Sequence, residues 1–130
     1  MQVTATAKNI RISPKKVRLV VSQIKKMNPQ QAIEILAFTR KSSAKPIGKV
    51  IASAIANAKN NFGLNQTNLR FKSILVGIGP VAKRYRPISR GRPHSILKRT
   101  SHIKVILEGE QPKKETKITK EPEEPKEKSE

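Results

Sequence analysis

The sequence predicts an α+β fold: a three-stranded antiparallel sheet packed with three helices, plus a long protruding β-hairpin arm. Three observations predict it. Two-residue alternation opens the chain at Val3, Ala5 and Ala7, and strand-like patterns return near Leu69 and Ile103. Between the first two strands lie three apolar stripes at helical spacing, each preceded by a Ser or Asn start signal. The last two strands are separated by a segment from Gly79 to His102 with seven Lys or Arg, three Pro, no Asp or Glu and one aromatic, Tyr85. That segment is too charged to build a core and too long for an ordinary hairpin loop of about 2–5 residues.

The first strand changes phase, because Ile10 and Ile12 alternate out of step with Val3, Ala5 and Ala7; a bulge or twist is expected between them. Ser13-Pro14 supplies an N-cap and a proline at the first helical position. Val17, Val20, Val21, Ile24 and Met27 then share one helical face. Asn28-Pro29 repeats the start signal, with Gln31 where a capping box needs it. This second helix is expected to bury Ile33, Leu36 and Ala37 and to end near Thr39. Ser42 or Ser43 can cap the third and longest helix, whose stripe is Ile47, Val50, Ile51, Ala54, Ile55 and Ala58. Asn60, Asn61 and Gly63 are expected to close it.

Leu69 to Ile78 reads as a strand, and His102 to Leu107 as another with Ile103, Val105 and Leu107 on one side. If the basic segment between them also pairs, turning near Ser89-Arg90-Gly91, each leg is about ten residues, or roughly 33 Å. Pro80, Pro87 and Pro93 are tolerable there because such an arm is all edge. The expected organisation is one domain over residues 1–108, including the arm at about 79–102. Residues 109–130 form a Lys/Glu/Pro tail with a single large apolar residue, Ile118, and their composition predicts disorder.

Charge narrows the function. Residues 1–107 carry 22 Lys and Arg against one carboxylate, Glu34, whereas residues 108–130 carry six Lys against eight Glu; the chain's net charge is +19. Such crowding of one sign favours a polyanionic partner. Trp is absent and no apolar run approaches the ~20 residues of a membrane span, so nucleic acid is expected ahead of lipid. With no Cys there are no disulfides or thiolate metal sites, which suits a reducing compartment. Met1 leads straight into a strand-like segment, without a secretory leader pattern.

Catalysis finds no support. Glu34 alone cannot make an acid–base pair, and His94 and His102 lack the companions of a metal site. Gly77-Ile78-Gly79-Pro80 lacks the third glycine and following helix of a nucleotide loop. No cofactor, metal or small-molecule substrate is expected.

The arm carries the strongest signal. Arg84, Arg86, Arg90, Arg92 and Arg99 can each fork onto phosphate oxygens, and Lys83 and Lys98 add point charges. Tyr85, between two arginines, can stack on an unpaired base. A solvated charged loop is the plain alternative; the missing acids and the three prolines weigh against it. Lys15, Lys16 and Arg18 stand at a helix start, where cations oppose the helix dipole and an external phosphate would offset the cost. Lys41, Lys45, Lys49 and Lys59 along the third helix read equally well as a solvated face. The competing function is an architectural DNA-binding protein with basic β-arms, which would need a dimer with a large apolar interface.

Four ordered blocks carry a resemblance: ISPKKVRLV (12–20), AIANAKNN (54–61), Gly79-Pro80 with Lys83-Arg84 and Arg90-Gly91-Arg92, and KRTSHI (98–103). Together, over residues 1 to about 107, they resemble the bacterial large-subunit ribosomal protein family numbered twenty-two. The resemblance implies a structural constituent of the large subunit, not an enzyme, that binds ribosomal RNA and helps its assembly. It implies a globular part near the exit of the nascent-chain tunnel and a hairpin running inward between RNA segments, its tip lining the tunnel near where macrolides bind. By motif, Lys83, Arg84, Arg90, Gly91 and Arg92 would lie at or near the tip. Lys98, Arg99 and His102 would lie on the returning strand, and Lys15, Lys16 and Arg18 on an RNA-facing helix start. Implied partners are large-subunit ribosomal RNA, neighbouring ribosomal proteins and the nascent polypeptide, in a cytoplasmic ribosome, with an organellar ribosome also open.

Overall fold

Strand β1 (Gln2–Ile10) alternates buried Val3 and Ala5 with exposed threonines, then slips register between Ala7 and Ile10. The slip is the expected bulge. Asn9 sits at its centre with φ +57°, a left-handed conformation that asparagine tolerates better than most residues. The computed structural model describes residues 1–109; the expected Lys/Glu/Pro tail lies, from Glu110 onward, outside the described residues.

Helix α1 (Pro14–Ile24) starts at Pro14 and buries Pro14, Val17, Val20, Val21 and Ile24. Met27 lies beyond its end and is only half-buried. Helix α2 (Pro29–Phe38) also starts at its proline, but its buried residues are Pro29, Ala32 and Leu36. Ile33 is half-buried and Ala37 is exposed, so the inward face is rotated from the expected one. Ala32 and Leu36, one turn apart, set the contact, and Ala37 falls beside it. None of the expected serine or asparagine N-caps makes a side-chain hydrogen bond to the helix it precedes; the Ser13 carbonyl instead accepts from the Lys16 and Val17 amides.

Helix α3 (Ala44–Phe62) buries the whole expected stripe, with Ala44 added at its start. Asn60 and Asn61 are its last turn, and Gly63 closes it at φ +60°. The Gly63 amide donates to the Lys59 carbonyl, the bond of an αL stop, and the Leu64 amide reaches back to the Ala58 carbonyl. Leu64 and Leu69 are then buried on either side of a short 3-10 turn, Gln66–Asn68.

Strands β2 (Arg70–Pro87) and β3 (Pro93–Glu108) are far longer than their apolar portions. The sheet has the order β1-β3-β2, antiparallel throughout, with β3 central. Its inner face is Val3, Ala5, Ile103, Val105 and Leu107, packed against the helices with Val17, Ile24, Ile47, Ile51 and Ala54. Each fully buried Ile, Leu or Val contributes about 2 kcal/mol relative to exposure. The other face carries Thr4, Thr6, Leu75 and Lys104, all exposed, and among the described residues no helix covers it. The fold is therefore α+β, with three helices on one face of a three-stranded antiparallel sheet and β2–β3 continuing as a long hairpin.

Candidate nucleic-acid interface

The hairpin leaves the body at a step built from three residues. Ile78 pairs with Ser101 and Val81 with Arg99, so Gly79 and Pro80 together face Thr100. This is a β-bulge, one extra residue on β2. Pro80 has no amide to lose, and its carbonyl accepts the Thr100 hydroxyl at 2.6 Å. Gly79 is buried, and a Cβ there would collide with Thr100 Oγ1. Only glycine fits this close approach.

Beyond the step the two legs pair from Val81–Arg99 out to Pro87–Pro93. The reversal is a 3-10 turn, Ser89–Gly91, with Arg90 at φ +57° and Gly91 at φ +72°. Amide-to-carbonyl bonds from Ile88 to Arg92 (2.9 Å) and from Gly91 to Ile88 (3.1 Å) tie it. The turn is where the sequence puts it. From Gly79 to Ile88 the ascending leg spans roughly 33 Å at strand rise.

Every sequence-predicted cation of the arm is exposed: Lys83, Arg84, Arg86, Arg90, Arg92, Lys98 and Arg99. Tyr85 is 77% exposed. Arg84 Nη1 donates to the neighbouring Lys83 carbonyl at 2.8 Å, which steadies its guanidinium root without neutralising its charge. Glu34 and Glu108 are the carboxylates among residues 1–109, and neither lies on the arm, so the arm's positive charge is uncompensated there.

The other predicted residues are not all alike. Lys15 and Lys16 are exposed in the first turn of α1, where no acid is present. Arg18 is also exposed, but its Nη2 donates to the Val76 carbonyl at 3.3 Å, tying α1 to β2. His102 is half-buried, and its Nδ1 accepts the Asn9 amide at 3.0 Å, so it braces the β1 bulge. The structure thus brings the arm cations together on one projection and places Lys15, Lys16 and Arg18 on the body. The sequence pattern did not single out Thr100 as the residue that fixes the bulge; the Gly-Pro step within a strand is the signal that points to it.

The arrangement suits binding. Among the described residues no group of three or more His, Cys, Asp or Glu could hold a metal ion. No helix among them is long and apolar enough to cross a membrane.

Comparison with known proteins agrees with the four sequence blocks. Residues 5–108 match the family described as Ribosomal protein L22p/L17e. Large ribosomal subunit protein uL22 of Staphylococcus aureus strain JH9 is 45% identical over 107 residues, covering 82% of this chain and 92% of the relative. The proteins of that name from strains Newman and USA300 match to the same extent. The chain belongs to the ribosomal protein L22p/L17e family, and is a structural constituent of the large ribosomal subunit rather than an enzyme.

Proposed function

We propose that residues 1–108 act as one RNA-binding domain that holds large-subunit ribosomal RNA, assists its assembly and lines the nascent-polypeptide tunnel with the tip around Arg90. The observation that carries this reading is the arm itself: seven cations, all exposed, on a hairpin that leaves the helical body behind. A projection without a core of its own gains most by being enclosed, and RNA offers both phosphates for the guanidinium groups and bases for Tyr85. The body contributes Lys15, Lys16 and Arg18 at the start of α1, with Arg18 already oriented by the Val76 carbonyl. Neighbouring ribosomal proteins and the nascent chain are the remaining partners of this reading, and the cytoplasmic ribosome is its setting.

Competition binding tests it. The chain, held on labelled large-subunit ribosomal RNA, is challenged with unlabelled ribosomal RNA or with duplex DNA. Preferential displacement by the RNA, with affinity falling steeply as salt rises, is expected. Equal or better displacement by DNA would favour the architectural DNA-binding alternative.

A further inference from the structure

The Gly79–Pro80 bulge decides which side chains of β2 share a face with β3, and this has a chemical consequence. On β3, which carries no extra residue, His102 and Lys104 lie on the helix-free face of the sheet. The same face continues outward through Thr100, Lys98, Ile96 and His94, by the two-residue period of a strand. On β2 the body residues sharing that face are Leu75 and Gly77, opposite Lys104 and His102. After the bulge the phase of β2 is reversed. Ala82, Arg84 and Arg86 now stand opposite Lys98, Ile96 and His94. Without the extra residue, Lys83 and Tyr85 would occupy that face instead.

The two faces of the arm therefore differ. One holds Arg84, Arg86 and Lys98 with His94, and runs back without interruption to Lys104, Thr4 and Thr6 on the sheet. The other holds Val81, Tyr85 and Leu97 with Lys83 and Arg99 between them, and runs back to the side packed by helices. Both follow the right-handed twist of the ribbon.

We infer that the helix-free face of the sheet and the Arg84–Arg86–Lys98 face of the arm form one continuous surface for an RNA phosphate backbone, put in phase by the Gly79–Pro80 bulge. The Tyr85 face takes the bases or apolar groups of the opposing wall. The inference rests on the ribosomal-RNA reading above and adds to it a direction: phosphates on one side, bases on the other. Charge complementarity supports it. Arg84 and Arg86 follow one another on that face of β2, Lys98 stands beside Ala82 and diagonally across from Arg84, Lys104 extends the row onto the body, and no carboxylate interrupts it before Glu108 and its partner Arg70 at the far end of the sheet.

Charge-matched double variants of the full chain test it. Arg84→Ala with Lys98→Ala, and Lys83→Ala with Arg99→Ala, each remove one Arg and one Lys from exposed positions. Circular dichroism confirms that both remain folded. Binding to large-subunit ribosomal RNA is then measured across a salt series. The first pair is expected to reduce the slope of log affinity against log salt by about 1.4–1.8, at roughly 0.7–0.9 per lost phosphate contact. The second pair is expected to reduce it by less than about 0.5 on the same scale. Adding Lys104→Ala to the first pair should lower the slope by nearly one further contact. Equal losses for the two pairs, or a larger loss for Lys83 with Arg99, would overturn the assignment of faces. No change on adding Lys104→Ala would overturn their continuity. An unmodified chain that binds ribosomal RNA without salt dependence would instead defeat the underlying RNA reading, and the assignment of faces with it.

Discussion

The Thr100 hydroxyl donates to the Pro80 carbonyl at 2.6 Å, across a step where β2 has two residues for one of β3. This bond and the glycine beside it join the body of the fold to its arm.

Gly79→Ala should disrupt that joint. The added Cβ would press on Thr100 Oγ1 and approach His102 Cε1 to 3.2 Å and the Thr100 carbonyl carbon to 3.3 Å. Overpacking of this kind costs about 1–3 kcal/mol. A urea titration should show a lower midpoint with an unchanged slope. An unchanged midpoint would mean that the bulge relaxes freely.

Ser101→Ala should stabilise the chain. Ser101 is fully buried on the helix side of β3, and its Oγ has no hydrogen-bond partner. An unsatisfied buried hydroxyl costs about 1–3 kcal/mol, and its removal leaves only a small void. Thermal unfolding should shift upward. A downward shift would mean that the hydroxyl is satisfied in solution, for instance by an internal water.

Two glycines should respond with opposite signs. At Gly63 the backbone is left-handed, so Gly63→Ala should cost about 1 kcal/mol. At Gly48, inside α3, a Cβ would meet nothing closer than Leu36 Cδ1 at 4.0 Å, so Gly48→Ala should gain up to about 1 kcal/mol in helix propensity. Equilibrium unfolding of the two variants reads both effects. A loss at Gly48 equal to that at Gly63 would contradict the helix geometry.

Replacing Lys83–Arg92 by a short turn should leave the body folded and remove most RNA affinity. Those residues are all exposed and none belongs to the core. The far-ultraviolet spectrum per residue and the melting temperature should change little. Loss of cooperative unfolding would show that the arm supports the body.

Much of this was legible in the sequence because periodicity and punctuation agreed. The α3 stripe from Ile47 to Ala58, the Gly63 stop and the turn at Ser89–Gly91 all lie where side-chain spacing and turn chemistry put them. The face of α2 did not, because a ten-residue helix with Ile33, Ile35, Leu36, Ala37 and Phe38 has too many apolar choices for spacing to select among them. Ser43 stands at the start of α3 but turns its hydroxyl to the Lys16 carbonyl at 3.4 Å, a contact 27 residues distant that no local rule anticipates. Arg18 and His102 show the same limit. Their charge or ring chemistry was visible, but their bonds to Val76 and Asn9 depend on the packing of α1 on β2 and of β1 on β3. The two faces of the arm were hidden for a related reason, since one extra residue at Gly79–Pro80 reverses the parity of every β2 residue beyond it.

The proposed role has the arm enclosed by RNA, with its tip carried to the tunnel. Its most direct test is a photoreactive side chain placed at Arg90, incorporated into ribosomes that are then stalled with a labelled nascent chain. Cross-links to large-subunit ribosomal RNA and to the nascent polypeptide are the predicted result. Cross-links confined to proteins on the outer surface of the subunit would contradict it.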